Sequence, residues 1–274
     1  MDQKNLEYLE KSLDYLGFGT RLNAVLAQGM QKGQVSFSIG INQRYIPGEF
    51  RSDPQKGTDL MHYELRFNRS RHGEVYFLNA MEATLKKHSG APEITKRFEM
   101  DKQNRMSALQ AYKLLCGLSF EKPLMIQDLD DLQENKFRKV NVWFKMNFEF
   151  TGKDGEHPLK WFFPEYGYDL QKVFESYPFI GLEDLEKKES AVKALRFGNL
   201  ITLPILLDGK REEVYVAANP EQKNLNVFDQ RMQVIDHNRL VGNLPVEHRQ
   251  NSAQMHSEDQ IMDRSEQEGR KNKR

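Results

Sequence analysis

The sequence predicts an α+β protein in which antiparallel sheets pack against helices, arranged as two α+β halves of similar size. Residues 61–67 and 140–150 alternate between apolar and polar side chains, which is the period of a half-buried strand. Four leucines between Leu6 and Leu16 recur instead at three- and four-residue spacing, the period of an amphipathic helix. Runs of strands separated by helices, rather than strict alternation of the two, favour antiparallel pairing.

The first half, residues 1–120, is predicted to begin with the leucine-rich helix, which Gly17 or Gly19 should end. A second short helix should start with Thr20 as its N-cap. Strands are expected at residues 35–41, 61–67, 75–85 and 96–100, with a long connection at 42–59.

A third helix is predicted from Ser107, because Gln110 stands three residues further on at the spacing of a capping box. This helix should turn Cys116 toward the core and end at Gly117. Residues 121–138, which contain an acidic run, are predicted to be a linker between the two halves.

The second half, residues 139–245, opens with the longest alternating strand and continues through two helices into a β-meander. Two apolar runs flank Asp208-Gly209, a dipeptide suited to a tight hairpin turn. A second turn at Asn219-Pro220-Glu221 leads into a short final strand. Residues 246–274 are polar and charged, and they are predicted to be a disordered tail.

Composition excludes several classes of site. Cys116 is the only cysteine among 274 residues, so neither an intrachain disulfide nor a thiolate zinc site is expected. The N-terminus lacks the features of a signal peptide, and no apolar run is long enough to span a membrane. We therefore expect a cytoplasmic protein without membrane association. Residues 1–120 carry 17 Lys and Arg against 13 Asp and Glu, a modest basic excess.

Three segments carry a resemblance to a known group of proteins: AYKLLCGLSFEKPL at 111–124, WFFPEYGYDLQKVFESYPFIGLED at 161–184 and VYVAANPEQKNLNVFDQRMQVI at 214–235. Over roughly residues 60–235 the chain resembles an uncharacterised family from Bacteroidetes, a domain of unknown function. Members of that family often lie within integrated or conjugative mobile elements. The resemblance implies a bacterial, cytoplasmic, mobile-element context. It implies no catalytic residues, because the family has no assigned activity.

A candidate binding surface is predicted around the second strand. His62, Glu64 and Arg66 share one face of that strand, since alternate strand residues point the same way. Arg69 and Arg71 stand at its turn, and arginines bind oxyanions through paired N–H groups. The alternative is an ordinary solvated face on which Glu64 pairs with a base on the neighbouring strand.

Trp161 belongs to a second candidate feature, an aromatic cluster beside Lys160. Aromatic side chains next to positive charge stack on nucleic-acid bases, and they also anchor protein partners. The alternative is that these rings pack into the core.

No nucleotide-binding, hydrolase or metalloprotease motif occurs in the chain, so we expect neither catalysis nor a cofactor nor a metal ion. The sequence favours a non-catalytic protein-interaction or scaffold protein of a bacterial mobile element. One alternative is an accessory nucleic-acid-binding protein for maintenance or transfer of the element. Another is an unrecognised enzyme whose pocket gathers at least two of His62, Glu64, His72 and Asp101. The sequence favours a protein partner and leaves the oligomeric state open.

Overall fold

The computed structural model describes residues 2–101, 105–127, 137–153, 155–207 and 209–241. Helices and three antiparallel sheets within these ranges confirm the α+β class. No helix in the described ranges is long and apolar enough to cross a membrane. The predicted acidic run of the linker and the predicted disordered tail at 246–274 lie outside the described residues.

The chain divides into two compact units, and the division differs from the predicted one. The first unit comprises residues 1–167 together with 197–199, and the second comprises 168–196 and the residues from 200 onward. Residues 121–127 and 137–138, predicted as linker, are strand residues that pair within the first unit. The first unit is therefore the larger of the two, and each has its own sheet structure.

The first part of the larger unit contains two helices and a four-stranded sheet. The helices are α1 (Gln3–Tyr15) and α2 (Asn23–Gln31), and the strands are β1 (Ser36–Tyr45), β2 (Asp59–Arg69), β3 (Tyr76–Lys86) and β4 (Ile94–Glu99). Successive strands are neighbours, so the sheet order is β1-β2-β3-β4. Residues 42–45, predicted to lie in a long connection, instead extend β1.

Alternation of apolar and polar residues determines which face of this sheet is buried. Met61, Tyr63, Leu65 and Phe67 on β2 are all fully buried. The four leucines of the N-terminal helical repeat are buried in the same core, as their spacing predicts. Asp2 caps α1 by accepting the backbone N–H of Asn5 at 3.1 Å. The opposite face of the sheet carries the polar residues of each strand.

A third helix and a second sheet complete the larger unit: α3 (Ala108–Leu115), β5 (Phe120–Gln127), β6 (Phe137–Met146) and β7 (Leu159–Phe162), with sheet order β5-β6-β7. The predicted capping box is confirmed, because Ser107 and Gln110 each accept the other's backbone N–H. The predicted strand at 140–150 ends earlier, at Met146, and Phe148 and Phe150 are exposed.

Residues 197–199 lie in the larger unit although their chain neighbours belong to the smaller one. The Lys113 ammonium on α3 donates to the carbonyl of Phe197 and to Asn199 Oδ1, the latter at 2.8 Å. Gly198 lies against the backbone of Ser119 at the start of β5. This short segment is thus held by one buried lysine and one close backbone approach.

Lys113 predicts a specific pH dependence of stability. Burial, with a smaller contribution from Arg51, lowers the pKa of Lys113 from 10.5 to about 8. Below pH 8 the amine of Lys113 is charged in the folded state and destabilises it to the full extent. This cost disappears as the pH rises from about 8 toward 10.5, the pKa of Lys113 in the unfolded chain. In urea unfolding, we expect wild type to gain about 2 kcal/mol over Lys113→Met between about pH 7 and about pH 10. Other titrating groups cancel in this difference, so a pH-independent difference would contradict the lowered pKa.

The smaller unit contains the predicted meander. Its elements are α4 (Leu170–Glu175), α5 (Leu185–Arg196), β8 (Ile201–Leu207), β9 (Lys210–Asn219), β10 (Asn224–Phe228) and α6 (His237–Val241), with sheet order β10-β9-β8. At the first hairpin Gly209 has φ +75, as a tight turn requires, while Asp208 lies outside the described residues. The Tyr177 hydroxyl exchanges hydrogen bonds with the backbone of Leu225, and burial raises the pKa of Tyr177 to about 12.

Candidate functional site

The structure brings three of the predicted binding residues together on one surface. His62, Glu64 and Arg66 occupy alternate positions of β2 on its polar side, away from the buried residues of that strand. We call this side the open face of the four-stranded sheet. The open face also carries Ser36 and Ser38 of β1, because they pair with Asn68 and Arg66.

Charges on the open face are balanced by close ion pairs. Arg66 Nε lies 3.1 Å from Glu64 Oε1, and Arg66 Nη2 lies 3.6 Å from Glu82 Oε2 on β3. On β4, Arg97 Nε lies 2.7 Å from Glu99 Oε1, and this carboxylate raises the pKa of the guanidinium. The surface is therefore a mosaic of both charge signs rather than a positive patch. Glu64 pairs with Arg66 on its own strand, and not with a base on the neighbouring strand as the solvated-face alternative predicted.

The open face contains a groove of about 540 Å³. Its lining is mainly polar and includes Ser36, Ser38, Arg66, Asn68, Asn79 and Arg97. Nearby, His62 Nδ1 lies 2.8 Å from Asn42 Oδ1, which holds the imidazole across β1. Hydroxyl, amide and charged groups thus stand beside one another along the β1 side of the sheet.

The remaining predicted residues lie elsewhere. Arg69 shares the strand side of Phe67, and its guanidinium donates to the carbonyls of Gly73 at 3.1 Å and Gly33 at 3.3 Å. Arg71 lies in the exposed turn after β2, and Trp161 lies on β7 of the other sheet. These residues do not form one surface with His62, Glu64 and Arg66.

The geometry bears on two further hypotheses: the aromatic cluster that contains Trp161, and a pocket that gathers His62 and His72. The Trp161 ring contacts Phe144 with centroids 5.1 Å apart, and 41% of the surface of Trp161 is exposed. Trp161 is therefore partly packed and partly accessible. His72 lies beyond the end of β2, on the order of 20 Å from His62 at about 3.3 Å per strand residue. These two histidines cannot line a common pocket.

The outer edge of β1 is a second feature of the four-stranded sheet. The Arg69 N–H donates to the Val35 carbonyl at 2.8 Å, which fixes residues 35, 37, 39, 41, 43 and 45 as those that hydrogen-bond β2. The intervening residues direct their backbone N–H and C=O groups away from β2. These outward residues are Ser36, Ser38, Gly40, Asn42 and Arg44, and all five are exposed. Within the described residues β1 pairs with β2 alone.

Other long sheet edges in the described chain carry a protecting element. Glu156 accepts the outward N–H of Arg97 on β4 at 3.2 Å and also binds Lys96. Edge strand β8 contains Pro204, and residues 178–180 hydrogen-bond to its outer side. The segment ending at Ile235 folds back on β10, and β5 contains Pro123. Along its ten residues β1 has no proline, no lysine and no register shift against β2, so it lacks these protections against strand addition.

A buried polar cluster next to this sheet was not anticipated from the sequence. Asp59, which is 2% exposed, accepts the His88 backbone N–H and lies 2.9 Å from His88 Nδ1 through the same oxygen. Its second oxygen accepts the Tyr112 hydroxyl at 2.9 Å, and Cys116 Sγ lies 4.0 Å away. Burial raises the pKa of the Cys116 thiol to about 12, which keeps it protonated and disfavours a nucleophilic role. We therefore interpret the cluster as a structural feature of the fold rather than a reactive site.

The fold and surface together define a class: an α+β protein whose four-stranded sheet offers an unprotected edge beside a polar face. In the described residues, no three His, Cys, Asp or Glu side chains are placed to hold a metal ion. Comparisons of the chain with protein-family models, with curated proteins and with solved structures find no match.

Proposed function

We propose that this is a non-catalytic protein-interaction protein that binds by strand addition at β1. The unprotected outer edge of β1 carries the proposal, because the other long edges described above are blocked. An extended segment of a partner would accept and donate hydrogen bonds along the five outward residues. Main-chain bonds of this kind supply affinity whatever the side chains of the partner.

The open face supplies selectivity for such a segment. Every second side chain of an added strand would project beside Ser36, Ser38 and Asn42, at the margin of the groove that Arg66 lines. Gly40, at the middle of β1, leaves the strand accessible there because it has no side chain. The mixed charges of the groove suit a partner segment that carries both charge and amide groups.

Charge balance is the reason for preferring a protein partner to a nucleic acid. Phosphate binding requires arginines whose charge is available, and Arg66 is shared between Glu64 and Glu82. Arg69 is engaged by two backbone carbonyls on the other side of the strand. The accessory nucleic-acid-binding alternative therefore has less support from this surface.

The resemblance to a mobile-element family directs the search for the partner. We propose a bacterial cytoplasmic setting, in which proteins encoded by the same element are the first candidates. No sequence or structural match contributes to this part of the proposal, which rests on the resemblance alone.

Site-specific photo-crosslinking tests the proposed function. A photoreactive amino acid at Asn42 should form an adduct with an extended segment of another polypeptide, identified by mass spectrometry. Adding Ser38→Pro should lower the yield about tenfold or more, because proline removes an outward N–H and costs on the order of 1.4 kcal/mol. Ser38→Thr retains the N–H and should keep the yield.

A second crosslinker position provides the control. Leu206 is exposed on β8, where residues 178–180 cover the strand edge, and it should give no comparable adduct. Proline is tolerated at outward positions of edge strands, so both Ser38 variants should retain the circular dichroism of wild type. Equal adducts from Asn42 and Leu206, or an adduct insensitive to Ser38→Pro, would refute strand addition at β1.

A further inference from the structure

We propose that the strand added to β1 is β1 of a second copy of this chain, running antiparallel about a two-fold axis at Gly40. The two four-stranded sheets would then join into one sheet of eight strands. This inference rests on the proposed function, because it uses the same unprotected edge and names its occupant.

The outward residues of β1 are self-complementary in this register. With Gly40 opposite Gly40 of the second copy, Ser38 faces Asn42 and Ser36 faces Arg44. Each outward residue then exchanges backbone hydrogen bonds with its counterpart. Glycine at the axis removes the one pair of identical side chains that would otherwise meet on the two-fold. The polar pairs on the open face are small or hydrogen-bonding.

The other side of β1 is self-complementary as well. Ile39 would face Ile41 of the second copy, and Val35 would face Tyr45. Val35 is 79% exposed, and Phe37 and Ile41 are partly exposed along the edge. An added copy of β1 would cover this apolar margin, which favours an apolar and alternating strand over a purely polar segment.

The length of β1 specifies the register. Arg44 is the one charged residue of β1, and in the Gly40-centred pairing it faces a serine. Moving the axis by two residues to Ser38 would place Arg44 opposite Lys32, which caps α2 and lies before the first residue of β1. Moving it to Asn42 would leave Ser36 opposite Gly48, beyond the end of the strand. The Gly40-centred pairing is therefore preferred among these neighbouring registers of the same parity.

The test combines a molar mass with a disulfide that reports the register. Light scattering on the purified full chain should give the mass of a dimer, Ser38→Pro should give that of a monomer, and Ser38→Thr should remain dimeric. Hydrogen-bonded residues of an antiparallel pair have Cα atoms about 5.5 Å apart, within the range of a disulfide. Gly40→Cys should therefore form a covalent dimer on mild oxidation. Ser36→Cys should not, because its two copies would stand on the order of 25 Å apart.

The outcomes separate this inference from the proposed function. A monomeric protein whose Asn42 crosslinks to a different polypeptide overturns the dimer and leaves strand addition standing. A monomer that gives no adduct overturns both. A dimer that persists in Ser38→Pro, or that forms no disulfide in Gly40→Cys, overturns the pairing of β1 about Gly40.

Discussion

Replacing Asp59 with alanine should lower the free energy of unfolding of the larger unit by about 3–5 kcal/mol, because two buried donors of the polar cluster lose their acceptor. Asp59 is 2% exposed at the first position of β2. Its two oxygens are the acceptors for the His88 backbone N–H and the Tyr112 hydroxyl, each at 2.9 Å. Alanine would leave both donors in an apolar setting without a partner.

The size of this effect follows from the number of buried donors that lose a hydrogen bond. A buried donor without an acceptor costs about 1–3 kcal/mol, so two such donors account for most of the expected loss. Tyr112 has little room to find water, because its ring stacks on Tyr45 with centroids 4.3 Å apart. Asp59→Asn keeps one carbonyl oxygen and should lie between wild type and Asp59→Ala.

Tyr112→Phe is the matched control for the cluster. It removes one hydroxyl and preserves the stacked ring, so it should cost only about 1 kcal/mol. Urea unfolding followed by circular dichroism and by tyrosine fluorescence measures all three variants. If Asp59→Ala cost no more than Tyr112→Phe, the carboxylate would not be the centre of the cluster.

The features predicted correctly are those that local sequence determines. Alternation along β2 predicted that Tyr63 and Phe67 are buried while His62, Glu64 and Arg66 share the other face. The capping box at Ser107 needs only three residues of sequence, and the meander needs only its turn residues. In each case the interacting groups are close in the chain, so their spacing carries the geometry.

The missed features depend on long-range pairing. β5 escaped prediction because Pro123 interrupts its pattern and because Lys122, a residue typical of linkers, points toward the core. There it donates to the Arg105 carbonyl, and burial lowers its pKa to about 8. β5 is a strand because it pairs with β6, and its own sequence does not indicate this pairing.

The candidate site was predictable only in part for the same reason. Arg69 stands two residues after Phe67, so alternation indicates that Arg69 and Arg66 lie on opposite sides of β2. The edge position of β1 was not, because it depends on the order of strands in the sheet. Asp59 and His88 lie 29 residues apart, and no local pattern joins them.

Gly198→Ala should lower the free energy of unfolding by about 2–4 kcal/mol, the second-largest effect that we expect. An added Cβ would lie 2.8 Å from the Ser119 carbonyl oxygen and 2.9 Å from Phe120 Cβ. Neither atom is at the end of a flexible side chain, so relief requires a shift of backbone. Overpacking of this kind costs about 1–3 kcal/mol. Gly198 also has φ +71, a conformation that costs an alanine about 1–2 kcal/mol.

A second glycine separates the two contributions. Gly90 in the same unit has φ +74, and nothing lies within 4 Å of its added Cβ, so Gly90→Ala should show the conformational cost alone. The excess loss in Gly198→Ala then measures how tightly residues 197–199 lie on the start of β5. Because Lys113 holds the same segment, combining Gly198→Ala with Lys113→Met should cost less than the sum of the single changes. Equal losses for the two alanine variants would mean that the backbone of Ser119 yields freely and that the approach of Gly198 is not a constraint on the fold.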